Sequence, residues 1–299
     1  MSRISGVFAG RNTPAFIGFT VAGDPDKETS LRAAKALIDG GTDILEFGVP
    51  FSDPVADGPV IQRADERAIA AGTNPAVVFD LVRQVRGFSD VPVVLLTYYN
   101  LVFRRGTDRF YREAAEAGID GILVADLPYE ESDEVAGIAA RHGIDPIFLI
   151  APTTTDERIR AIASRAKGYL YLVSVLGVTG VRESVDTEAI ELLRRVRRHT
   201  SLPLAPGFGI STPQHVQTFA EAGADAVIVG SAIVRIVEQY RNEPEVMEEP
   251  PPEDVRAGLQ DCARRIRSVV HHLDQVGQTD GAGILQQVAV ALPHLLPVH

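Results

Sequence analysis

The chain has 299 residues, 45% of them hydrophobic, and a formal net charge of −11. That is enough apolar material for a large core, and the acidic balance argues against nucleic acid or an anionic membrane as a partner, since either selects a basic face. A lone cysteine, Cys262, excludes an internal disulfide and a multi-cysteine metal site, and no apolar run approaches ~20 residues, so the expectation is a cytoplasmic protein without membrane spans.

In chain order, short runs rich in Ile, Val and Leu predict eight strands, at 15–22, 43–49, 91–99, 121–126, 146–151, 169–175, 202–209 and 225–230. Four of them begin at a repeated Gly-x-Asp step: Gly41-Thr-Asp43, Gly118-Ile-Asp120, Gly143-Ile-Asp145 and Gly223-Ala-Asp225. Each step follows a stretch of helical spacing, and glycine suits the left-handed residue past a helix end. Helical segments separate almost all the strands, as parallel pairing requires. Eight βα units in about 250 residues predict an α/β protein with a closed (β/α)8 TIM barrel, the alternative being an open doubly wound sheet.

Between Pro50 and Val91 the chain makes a long excursion, with the loop from Phe51 to Pro59 and helices predicted at 60–71 and 75–85. A second irregular stretch, 176–184, follows the sixth strand and suits a closing lid. Residues 242–254 are acidic and proline-rich and read as linker or loop, and 255–273 has the periodicity of a last barrel helix. The expected organisation is one barrel over residues 1–273 with extra helices, then a C-terminal extension, 274–299, holding a short apolar helix.

Barrel enzymes place their chemistry at strand C-termini. Glu46 sits inside the apolar run Ile44-Leu-Glu-Phe-Gly-Val49. Burial there raises the pKa of a carboxyl toward neutrality, which suits general acid–base work. Pairing with an arginine would make it structural instead, but none of the eight predicted strands contains one. Asp57 lies between Pro54 and Pro59, and position alone fits a helix cap before Val60 as well as a carboxylate over the barrel mouth. Asp24 and Asp126 also end strands and rank lower, Asp24 reading as a turn or cap.

Glycines end strands seven and eight, at Pro206-Gly-Phe-Gly209 and Val229-Gly-Ser231, and the second opens a helix. Close backbone approach and free N–H groups at these two strands predict a phosphate site at Gly209, Gly230 and Ser231. Phe19 and Tyr171 fit either core or an aromatic pocket wall. The run from Arg194 to His199 ends a helix and reads as a solvated helix face. Only three lysines are present, Lys27, Lys35 and Lys167, none at a strand C-terminus, and the histidines fall at helix ends, on helices or in the tail. The expectation is proton transfer on a phosphorylated small molecule, with no metal and no cofactor.

The fifteen residues Leu45-Glu-Phe-Gly-Val-Pro-Phe-Ser-Asp-Pro-Val-Ala-Asp-Gly-Pro59 strongly resemble the signature of the tryptophan synthase alpha subunit family. Similar matches follow in family order at Phe19-Thr-Val-Ala-Gly-Asp-Pro25, Tyr98-Tyr-Asn100, Gly177-Val-Thr-Gly180, Pro206-Gly-Phe-Gly209 and Val229-Gly-Ser231, spanning about residues 5 to 245. The resemblance implies a lyase of tryptophan biosynthesis that cleaves indole-3-glycerol phosphate to indole and glyceraldehyde 3-phosphate by a retro-aldol reaction. It assigns Glu46 as acid–base, Asp57 as the carboxylate on the indole N–H, Tyr171 as the pocket tyrosine and Phe19 as an indole-contacting wall. It places Thr179 on the closing loop, and Gly180, Gly209, Gly230 and Ser231 around the phosphate. It also implies an alpha2beta2 complex with a beta subunit that alone carries pyridoxal phosphate, the contact involving Asp53 and the segment near Asn100. A stand-alone lyase releasing free indole, or a subunit acting mainly as an allosteric activator of the beta subunit, are the alternatives. The chain departs from some members at Val175-Leu176, where they have an arginine, and in Pro250–Pro252 and the stretch after Leu273, to which no known role carries over.

Overall fold

The computed structural model describes residues 2–173, 187–207, 210 and 213–241. The strands are β1 (Ala15–Val21), β2 (Ile44–Gly48), β3 (Val93–Thr97), β4 (Gly121–Val124), β5 (Asp145–Ile150), β6 (Leu170–Leu172), β7 (Leu204–Pro206) and β8 (Ala226–Val229). The helices are α1 (Arg3–Phe8), α2 (Lys27–Asp39), α3 (Pro59–Ala70), α4 (Pro75–Arg86), α5 (Tyr99–Arg105), α6 (Thr107–Ala117), α7 (Asp133–Arg141), α8 (Asp156–Arg165), α9 (Thr187–Arg197), α10 (Pro213–Glu221) and α11 (Ser231–Arg241). All strand pairs are parallel, in the order β7-β6-β5-β4-β3-β2-β1-β8. The two end strands meet through the Asp225 N–H, which donates to the Leu204 carbonyl at 3.0 Å, so the sheet closes into a TIM barrel rather than lying open.

The Gly-x-Asp repeat explains how each helix feeds the next strand. All four glycines have positive φ, 91° at Gly118 for instance, where a side chain would be strained and a Cβ would also strike Arg86. Two residues later the aspartate fastens its strand to a neighbour. Asp43, Asp120 and Asp225 each donate a backbone N–H to Phe16, Val93 and Leu204, and each accepts the N–H of that same residue on its carboxylate at 2.8–2.9 Å. Arg11, Arg86 and Arg197 neutralise the three carboxylates. These clasps join β2 to β1, β4 to β3 and β8 to β7 at the strand N-termini. Asp145 differs, its carboxylate accepting the Ser2 hydroxyl. Arg197 is thus a clasp residue, and Arg195 donates to the carbonyls of Pro152 and Thr154 at 2.9 and 2.8 Å; the arginine run is partly structural, not simply a solvated face.

Apolar residues separate into two layers. Residues such as Phe16, Leu45, Phe47, Val93, Leu95 and Leu170 point outward and pack under the helices. Ile17, Phe19, Ile44, Val94, Leu123, Ile147, Tyr169, Tyr171, Ala205 and Ile228 point inward and fill the barrel. This is the two-residue alternation of strands buried on both faces.

Several strands are shorter than the sequence predicts. The third ends at Thr97 because the Tyr99 N–H is taken by the Asp126 carboxylate at 2.6 Å, which starts α5. The helix α1 has no counterpart in the sequence reading. It plugs the N-terminal end of the barrel: Ile4 is fully buried and fills the space that a Cβ on Gly121 would need, and Phe8 lies 6.4 Å from the Tyr169 ring. The helix after β8 is α11; the predicted helix at 255–273, the acidic segment 242–254, the lid at 176–184 and the extension 274–299 lie outside the described residues. No helix among the described residues is long and apolar enough to cross a membrane.

Candidate active site at the C-terminal mouth of the barrel

In β2 the alternation puts Ile44, Glu46 and Gly48 on the interior face. Glu46 is fully buried, and the Tyr169 hydroxyl donates to its Oε2 at 3.0 Å. Its Oε1 is buried without a hydrogen-bond partner among the described residues. No arginine reaches it, so the structural alternative of an ion pair is not realised among the described residues. Burial pushes the Glu46 carboxyl up to about 8; the Tyr169 bond pulls the other way, and the charge of Asp57 adds to the rise. At neutral pH Glu46 is therefore a protonated acid inside the barrel.

Asp57 is held over the mouth by the loop between β2 and α3. Its N–H donates to the Pro54 carbonyl at 3.0 Å, and Gln62 donates to the Asp57 carbonyl at 2.8 Å. The Tyr98 hydroxyl donates to Asp57 Oδ2 at 2.6 Å and accepts the Ala56 N–H at 3.1 Å, while Phe51 stacks on the Tyr98 ring at 4.9 Å. The helix α3 begins at Pro59 with Gly58 as its N-cap and no side-chain cap bond. Asp57 is thus not a cap, which resolves the ambiguity in its sequence position. Burial raises its pKa, and the Tyr98 bond opposes the rise.

Phe19 faces the same interior, in register with Glu46. Its ring occupies space left by two glycines on the flanking strands: a Cβ on Gly48 would lie 2.8 Å from it, and one on Gly230 3.1 Å. Tyr171 is 9% exposed, and a Cβ on Gly207 would lie 2.5 Å from its ring. Burial pushes the Tyr171 hydroxyl up, and the charges of Glu46 and Asp57 add to the rise, which places all three in one electrostatic neighbourhood. Beside it, α11 starts at Ser231. Its first intrahelical bond runs from the Val234 N–H to the Gly230 carbonyl at 3.0 Å, which leaves the N–H groups of 231–233 for an anion at the helix N-terminus.

The sequence-predicted residues Glu46, Asp57, Tyr171, Phe19, Gly230 and Ser231 thus surround the C-terminal mouth. Thr179, Gly180 and Gly209 lie outside the described residues. Asp53 and Asn100 are exposed, near Val55 (84% exposed) and Phe103 (66%), on two segments that the Ala56–Tyr98 bond joins. Asp24 is not the helix cap: it accepts both arms of Arg67 at 2.7 and 2.8 Å, and Asp26 caps α2. The sequence reading missed Tyr169 and Tyr98. The signal for Tyr169 was its spacing, two residues before Tyr171 and so on the same face; Tyr98 stands two past Leu96. Among the described residues no group of three or more His, Cys, Asp or Glu could hold a metal ion.

Residues 8–261 match the family model described as tryptophan synthase alpha chain. The chain is 68% identical to the tryptophan synthase alpha chain of Methanoregula boonei over 249 residues, covering 83% of this chain and 94% of that one. It is 51% identical to that of Methanothermobacter thermautotrophicus over 233 residues, covering 78% and 86%. The structure is similar to a chain of the tryptophan synthase complex from Pyrococcus furiosus (TM-score 0.77, 37% identity, 86% of this chain and 98% of that chain). A second Pyrococcus furiosus structure, which addresses mutual activation in the a2b2 complex, gives a TM-score of 0.76 at 36% identity with the same coverage.

Proposed function

The chain belongs to the tryptophan synthase alpha chain family, an enzyme subunit of tryptophan biosynthesis, and on that premise we propose that it cleaves indole-3-glycerol phosphate to indole and glyceraldehyde 3-phosphate. The observation that carries this reading is Glu46: a fully buried carboxyl inside the barrel, held at one oxygen by the Tyr169 hydroxyl and, among the described residues, without a partner at the other, with Asp57 at the barrel mouth.

In the proposed reaction Glu46 gives its proton to C3 of the indole ring. The ring becomes an indoleninium, and its N–H, now carrying positive charge, donates to the Asp57 carboxylate. Glu46, now ionised, takes the proton from the hydroxyl on the carbon attached to C3. That oxygen becomes the aldehyde carbonyl, the C–C bond breaks, and its electron pair returns to the ring and restores aromaticity. The catalytic proton is back on Glu46. Tyr169 stabilises the transient Glu46 anion through the bond it already makes. Phe19 and Tyr171 wall the ring, and the start of α11 with Gly230 and Ser231 holds the phosphate, joined by Gly180 and Gly209, while Thr179 closes over Asp57.

These steps are proton transfers and ask for no metal or cofactor on this chain. We assign pyridoxal phosphate to a beta subunit alone. The exposed patch of Asp53, Val55, Asn100 and Phe103 is the proposed contact in an alpha2beta2 assembly. The test is to incubate the purified protein with indole-3-glycerol phosphate, with and without a beta subunit, and to measure indole and glyceraldehyde 3-phosphate. Equimolar products support the reading. Loss of substrate without indole, or no turnover in either condition, contradicts it.

A further inference from the structure

The aspartates of the Gly-x-Asp repeat hold more than strands. Three of the four also fasten the N-terminal segment across the closed end of the barrel. The Ser2 hydroxyl donates to Asp145, Arg3 donates to Asp120 at 2.9 Å, and Arg11, just past α1, donates to both oxygens of Asp43 at 3.1 and 2.9 Å. Between these anchors Ile4 is fully buried, and a Cβ on Gly168 would lie 3.1 Å from its side chain. Gly168 has a φ of 73° and turns the chain into Tyr169, so α1 packs against the residue that sets the course of that tyrosine.

The Tyr169 side chain runs from this plug to the buried acid. Its ring lies 6.4 Å from the half-buried ring of Phe8, the two planes at 57°, and its hydroxyl donates to Oε2 of Glu46 at 3.0 Å. Ile4 and Tyr169 belong to the interior layer of the core, and Phe8 packs against that layer from α1. A tyrosine has two side-chain torsions, and only packing keeps its hydroxyl on one point. Truncating Phe8 to alanine opens a void beside the ring, and a close-packed interior relaxes only partly into such a space. The ring then gains freedom to rock, and the hydroxyl spends less time on Glu46.

We propose that Phe8 is a positioning residue for the reaction: from the closed end of the barrel it holds the Tyr169 ring so that the hydroxyl stays on Glu46, which makes the N-terminal plug part of the acid–base machinery. The inference rests on the reading of Glu46 as the acid–base. Among the described residues the titratable groups facing Glu46 are Tyr169 just before β6, Tyr171 within it and Asp57 in the loop before α3. The one charged residue of α1 is Arg3, and it is paired with Asp120 at the rim. A substitution at Phe8 therefore changes no charge near the acid, and a change in Glu46 reports the position of Tyr169.

The experiment is a carboxyl 13C NMR titration of the full chain without substrate, in the wild type, Phe8→Ala, Phe8→Leu, Tyr169→Phe and the double variant Phe8→Ala with Tyr169→Phe. Glu46 is expected to titrate near pH 8 in the wild type. Because the Tyr169 bond favours the ionised form, Phe8→Ala should move that titration upward by about 0.5 pH unit or more, and Tyr169→Phe by about one. Phe8→Leu keeps part of the support and should give a smaller shift of the same sign, a readout that stands even if Phe8→Ala fails to fold. In the double variant Phe8→Ala should add nothing, because the hydroxyl it acts through is gone. With indole-3-glycerol phosphate, Phe8→Ala should lower kcat by about 3-fold or more and keep KM within about 2-fold, since α1 lies at the opposite end of the barrel from the phosphate site, and the Tyr169→Phe background should erase that loss. A Glu46 titration that no folded Phe8 variant moves, or shifts that add in the double variant, would overturn the proposal. The expected titrations without any indole formation would instead sink the lyase reading alone.

Discussion

The Tyr169 hydroxyl donates to Oε2 of Glu46 at 3.0 Å, while Oε1 of the same buried carboxyl has no partner among the described residues. One oxygen is thus anchored and the other is left for the substrate. Tyr169→Phe removes a donor that favours the ionised form. The alkaline limb of kcat against pH should then move upward by about one pH unit, with kcat lower because the transient anion loses its bond. An unmoved limb would separate Tyr169 from the proton-transfer step.

Keeping Glu46 neutral costs stability. Its carboxyl stands at about 8 in the folded protein against 4.5 in an unfolded chain. Between these values the unfolded chain has released the proton and the folded chain has kept it, so stability falls as pH rises through that window. Glu46→Gln should therefore raise stability by about 1–3 kcal/mol at pH ~7 and by much less at pH ~4. Thermal melts at the two pH values check this; an equal gain at both would contradict it.

The glycines around the mouth give two separable defects. A Cβ on Gly207 would lie 2.5 Å from the Tyr171 ring, so Gly207→Ala must displace that ring and should lower kcat/KM by about tenfold or more. Gly230→Asp sets a carboxylate at the start of α11, where a phosphate is expected, and should act mainly by raising KM. Steady-state kinetics distinguish the two. A KM unchanged in Gly230→Asp would remove the phosphate from that helix.

Arg67 is 10% exposed and binds both oxygens of Asp24, itself 1% exposed. It also reaches Glu238, so one guanidinium ties the end of β1 and α3 to α11. Arg67→Met leaves the Asp24 carboxylate without that partner, and the expected cost is about 3 kcal/mol in denaturant unfolding. A loss below about 1 kcal/mol would mean that the interaction is no stronger than a surface pair.

The barrel was legible because its signals are local. The Gly-x-Asp step marks a left-handed turn followed by a strand, and four copies, two of them 25 residues apart as one βα unit requires, leave few architectures open. Glu46 stood out as a carboxylate in an apolar run, and the structure places it where that run predicts, facing inward. What the sequence withheld depends on contacts between distant segments. Tyr169 meets Glu46 across 123 positions, and Asp57 could not be told from a helix cap until the Tyr98 hydroxyl was seen on it. The plug α1 is six residues long, too short for periodicity to mark it.

The most direct test of the account is the Glu46→Gln variant assayed for indole release from indole-3-glycerol phosphate, alongside substrate binding measured by calorimetry. The amide fills the same space and can still accept the Tyr169 bond, but it has no proton to exchange. The account predicts a rate reduced by about 100-fold or more with binding preserved. Retention of more than about a tenth of the wild-type rate would contradict it.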